Sequence, residues 1–83
     1  MRGGTVASMR SSTTPIAAEM VASVMEVPVN VGDHVDAGDT VCMLESMKME
    51  IPVLAERAGS VSEIKVVAGD VVSEGDVLVV LAH

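Results

Sequence analysis

The chain is predicted to be a small all-β domain, a sandwich or barrel of short antiparallel strands, on three observations. Nearly half of its residues are apolar, at 49%, yet it has no Phe, Tyr or Trp, so any core is aliphatic. Valine dominates the second half, and β-branched side chains suit the pleated surface of a sheet. Four Gly-Asp pairs punctuate the chain, and turns at such short spacing are what a sandwich or barrel needs between its strands. A length of 83 residues allows one small domain.

The elements follow from an internal repeat. Shifted by 37 positions, SVMEVPVNVGDHVDAGDTVCML (23–44) aligns with SVSEIKVVAGDVVSEGDVLVVL (60–81), with ten identities over twenty-two positions. Two copies are too few for a solenoid; they read as two halves of one domain, neither able to bury its apolar face alone. In each copy a strand alternates (24–31; 61–68), Gly-Asp breaks it, and a four-residue piece follows (34–37; 71–74). A second Gly-Asp then breaks the chain before a closing strand (40–45; 77–82). Glycine supplies the positive φ of tight turns, and Asp can bond the backbone nearby. Asp33, Asp36 and Asp39 do not match a calcium loop, which needs alternating oxygen ligands and Gly at its sixth position. No metal site is expected. Residues 1–15, rich in Ser, Thr and Gly and ending at Pro15, are predicted to be a disordered tail, leaving 16–83 as the domain.

Composition excludes several partners. The net charge of −7 repels phosphate backbones and anionic membrane surfaces, and the lack of aromatics removes base-stacking platforms. No apolar run approaches the ~20 residues of a membrane span. Arg2 and Arg10 enclose no apolar region that would mark a secretory leader, so a cytoplasmic monomer is expected. Cys42 is the only cysteine and reads as a small core hydrophobe. His34 has no partners for catalysis.

One stretch remains, CMLESMKMEIP at 42–52. A single strand over 40–55 would need sixteen residues, beyond the usual ~3–10. The second copy ends at Leu81, whose equivalent is Leu44, so 46–49 starts the crossover between the halves. A hairpin tip near Met47-Lys48 is therefore predicted, although hairpin turns prefer Asn-Gly or Asp-Gly. Pro52 suits an edge strand just beyond. At such a tip Lys48 points into solvent and Met47 and Met49 stay partly exposed, forgoing roughly 1.5–3 kcal/mol per buried Met. An exposed apolar pair beside an amine suggests recognition by a partner.

With ESMKME set between two Gly-Asp halves, residues 16–83 resemble the biotinyl-domain (biotin/lipoyl attachment) family. The E-x-M-K-M signature is Glu45-Ser46-Met47-Lys48-Met49, and V-x-x-G-D-x-V-x-x-G-D occurs in both halves. In length the chain is most similar to small stand-alone biotinylated proteins. The resemblance implies a flattened β-barrel, or barrel-sandwich hybrid, of two four-stranded antiparallel sheets with a pseudo-twofold axis. It further implies that a biotin protein ligase joins biotin to Lys48 through an amide, with Met47, Met49, Glu45, Ser46 and Glu50 as recognition residues. The biotin would then carry carboxylate, as carboxybiotin, from a biotin carboxylase to a carboxyltransferase, the domain itself catalysing neither step. Ala22, where the family often has Gly, and Glu19 and Glu56, where Pro is common, depart from the pattern without touching the lysine. Two other readings compete. A lipoyl carrier would also use Lys48, but lipoyl domains commonly place Asp before the lysine and Ala or Val after it. An unmodified interaction module would use the Met-flanked tip as a binding surface.

Overall fold

The computed structural model describes residues 13–83, and among them eight strands run in the order β1 (Thr13–Ala17), β2 (Ala22–Glu26), β3 (His34–Val35), β4 (Thr40–Ser46), β5 (Met49–Leu54), β6 (Gly59–Ile64), β7 (Val71–Val72) and β8 (Val77–Ala82). They form two four-stranded antiparallel sheets, ordered β1-β8-β6-β3 and β5-β4-β2-β7. The all-β expectation holds, as does the count of strands per sheet.

The repeat explains the topology. Adding 37 to each residue number turns β1, β2, β3 and β4 into β5, β6, β7 and β8 to within a residue or two. The same operation exchanges one sheet with the other. Each sheet therefore takes strands from both halves, and short β3 pairs with β6 just as β7 pairs with β2. Gly32 N–H donates to Val61 O and Val61 N–H to Asp33 O, while Gly69 N–H donates to Val24 O and Val24 N–H to Asp70 O, all at 2.8 Å. Neither half can satisfy its backbone without the other.

The Gly-Asp pairs act as expected of turns. Asp33 N–H donates to Asn30 O at 3.0 Å, and Asn30 N–H donates back to the Asp33 carboxylate at 2.8 Å. Gly32 between them has φ +98°, the third-position signature of a type II turn. The pattern recurs at Asp39, Asp70 and Asp76.

Between the sheets lies an aliphatic core in which Val41, Cys42, Leu78, Val79 and Leu81 are fully buried and no polar side chain is enclosed among the described residues. Burial pushes the Cys42 thiol up, partly opposed by a hydrogen bond involving the Met43 backbone.

Two expectations need correction. Thr13, Thr14 and Pro15, assigned to the tail, belong to β1 and pair with Ala82, Leu81 and Val80. The apolar β8 needs a neighbour on each side, and that requirement overrides the polar composition of the segment; residues 1–12 lie outside the described residues. The first strand of each half is also shorter than the alternation suggests, ending at Glu26 and Ile64. In the first half, Pro28 lacks the N–H a ladder would use, while Val27 and Val29 still pack on the core.

Candidate functional site

The hairpin β4–β5 carries the residues singled out from sequence. Its ladder runs Leu44↔Ile51, Glu45↔Glu50, Ser46↔Met49, so the turn consists of Met47 and Lys48 alone. Both adopt left-handed backbone, with φ of 54° and 65°, the arrangement of a type I′ hairpin turn. They are the only non-glycine residues with positive φ among those described. The turn lies where the repeat places it, but this conformation could not be read from Met-Lys, because left-handed geometry disfavours side chains.

Lys48 is exposed, and neither of the two salt bridges among the described residues involves it. Met47 is 90% and Met49 63% exposed. Glu45 and Glu50 face each other across the ladder, both exposed, and Ser46 is half-buried opposite Met49. All six predicted residues are thus brought together within one turn and its two flanking pairs. The arrangement is a protruding primary amine held on a short, regular hairpin between two thioethers, with carboxylates one step behind. An exposed primary amine can form an amide with an activated acid brought to it.

What holds the tip in place is the pair below it, which the sequence reading passed over. Leu44 is buried and Ile51 packs against the core, anchoring the hairpin at the third rung from the turn. Ile51 and Val53 are half-buried while Glu50, Pro52 and Leu54 are exposed, and the apolar residues at every second position, Ile51 and Val53, were the available signal. Pro52 sits on β5, an edge strand, as expected. Beside it, between the edges of β1 and β5, a groove of about 380 Å³ is lined by residues including Ile16, Leu44, Ile51 and Val53.

Comparison with known proteins is consistent with this geometry. Residues 11–81 match the biotin/lipoyl family model, described as biotin-requiring enzyme. Over 36 residues the chain is 67% identical to the biotinylated protein TB7.3 of Mycobacterium tuberculosis and 61% identical to its homologue in Mycolicibacterium smegmatis, in each case covering 43% of this chain and 51% of the relative. The chain thus spans about half the length of these curated relatives. Among solved structures, it superposes on a single-chain, multi-domain long-chain acyl-CoA carboxylase with a TM-score of 0.82 and 30% identity, over 87% of this chain and 7% of that one. The urea carboxylase of Kluyveromyces lactis gives 0.79 and 36%, over 83% and 6%. The lipoyl domain of the 2-oxoglutarate dehydrogenase complex from Azotobacter vinelandii gives 0.68 and 25%, over 82% and 96%.

Proposed function

We propose that this chain, which belongs to the biotin/lipoyl family of biotin-requiring enzymes, is a biotin carrier domain with Lys48 as the attachment residue. The observation that carries the reading is the turn itself: an exposed amine, free of ion pairs among the described residues, flanked by two exposed methionines. Similarity to the biotinylated TB7.3 proteins and to two carboxylases supports biotin over a lipoyl group. The likeness to a lipoyl domain supports only the shared fold, and Met on both sides of Lys48 is not the lipoyl pattern.

The residues fit the group in chemical terms. An amide requires a nucleophilic amine, and Lys48 presents one that is exposed. A biotin protein ligase brings the activated acid to it. The amine nitrogen bonds to the carboxyl carbon, adenylate leaves, and the amine gives up a proton. When bound, biotin supplies a ureido nitrogen that takes up and releases a carboxyl group. The chain's own task is mechanical. Lys48 becomes the root of an arm and the rigid hairpin fixes where the arm starts. Tethering raises the effective concentration of the carried group at a biotin carboxylase and a carboxyltransferase. The domain catalyses neither reaction, and it works as a monomer in the cytoplasm. No helix is long and apolar enough to cross a membrane among the described residues.

Intact-mass analysis after co-expression with a biotin ligase tests the assignment. A gain of one biotinyl group is expected, and it is absent from Lys48→Arg. A lipoyl-sized gain, or an unchanged mass, refutes it.

A further inference from the structure

The chain contains seven methionines, and the five described ones differ sharply in surroundings. Met47 is 90% exposed and Met49 63%, Met20 and Met25 are each 38%, and Met43 is half-buried on β4. Thioether reactivity toward peroxide follows exposure, so the two sulfurs flanking the attachment lysine are the most vulnerable in the described molecule. Neither is needed for the fold: Met47 buries almost nothing, and Met49 sits beyond the Leu44–Ile51 pair that anchors the hairpin. Both are open to a partner that docks at the tip, and an apolar contact made there is weakened when the thioether becomes polar.

We propose that Met47 and Met49 form a reversible oxidation site that switches recognition of the hairpin. A hydroperoxide transfers one oxygen to the thioether sulfur. The sulfur is oxidised by two electrons to the sulfoxide, the O–O bond breaks, and hydrogen peroxide leaves as water. The product is polar and chiral where a flexible apolar chain had been. Because the side chains lie outside the core, the sulfoxides leave the sheets intact and act only on what docks at the tip. Cys42, wholly buried, is shielded from the same oxidant. The loss of recognition rests on the carrier reading; the order of oxidation rests on exposure alone.

The test treats the whole chain with hydrogen peroxide, removes the peroxide with catalase, and adds biotin ligase with biotin and ATP. Peptide mapping is expected to find sulfoxide first at Met47, then Met49, with Met43 last of the three. Circular dichroism stays unchanged while the labelling rate falls about tenfold or more, the scale set by losing one buried apolar contact. Methionine sulfoxide reductases restore it. In Met47→Leu/Met49→Leu, whatever its basal rate, labelling is the same before and after peroxide. Undiminished labelling of the doubly oxidised chain, loss that the reductases do not reverse, or oxidation of Met43 ahead of Met47 overturns the proposal. A chain that takes no biotin before peroxide overturns the carrier reading, and the switch with it.

Discussion

At Met47 and Lys48 the backbone works against its own side chains. A non-glycine residue in left-handed conformation costs roughly 1–2 kcal/mol, and the best type I′ turns use Asn-Gly. An amine cannot be placed at the second turn position and that preference also met, so the tip is locally less stable than an Asn-Gly turn would be. Lys48→Gly is accordingly expected to raise the unfolding free energy by about 1 kcal/mol in a urea titration, while Lys48→Arg leaves it nearly unchanged; if Lys48 is the attachment residue, as proposed, neither variant gains a biotinyl mass. Cys42 shows the reverse case, a residue wholly governed by packing. Its thiol lies above the ordinary value of 9.0 because the charged form is desolvated. A folded value above the unfolded one means the contribution is complete below pH 9.0 and is lost as pH rises through the folded value. Urea midpoints measured from pH 7 to 10 should fall more steeply for the parent than for Cys42→Ala. The thiol should also stay silent to a thiol reagent until the chain unfolds.

The elements are governed by turns and close approaches, and the repeat offers internal controls. Gly59 and Ala22 occupy equivalent positions at the start of β6 and β2. A Cβ on Gly59 would lie 2.7 Å from Ala82 O and 3.1 Å from His83 Nδ1, so backbone would have to shift. His83 also hydrogen-bonds Ala58 O and Thr14, tying β1 to the mouth of β6. Gly59→Ala is expected to destabilise by about 1–3 kcal/mol, whereas Ala22→Gly costs about 0.5–1 kcal/mol through backbone entropy; equilibrium unfolding separates them. The turn carboxylates are exposed and each supports one backbone N–H. Asp39→Ala should therefore cost about 0.5–1.5 kcal/mol, without altering attachment at Lys48 when the purified chain is weighed. On the hairpin, Glu45 faces Glu50, and like charges directly opposite are destabilising.

For the whole molecule the decisive fact is that both sheets mix strands from both halves. Splitting the chain at the turn, into 1–47 and 48–83, removes from every sheet strands that the other piece supplies. Each piece alone is expected to be unfolded by circular dichroism, and the intact chain to unfold in one cooperative step. The same interlocking roots the hairpin: Leu44 is part of the common core and Ile51 packs against it.

The sequence alone determined the class, the repeat, the Gly-Asp turns and the position of the reversal at Met47-Lys48. Each is written in local chemistry: β-branched content, positive-φ glycine with an adjacent carboxylate, and a strand too long to be one strand. The repeat extends beyond 23–44 and 60–81, since Pro15, Ala18 and Glu19 recur as Pro52, Ala55 and Glu56. Those matches could have placed β1 in the fold. Tertiary structure decided the rest. The need of β8 for a second neighbour drew Thr13–Ala17 into a sheet despite its polar start. Pairing between halves set which sheet each short strand joined. Left-handed backbone at Met47 and Lys48 was imposed by two strands in fixed register, a constraint from outside the turn that no propensity of Met or Lys encodes.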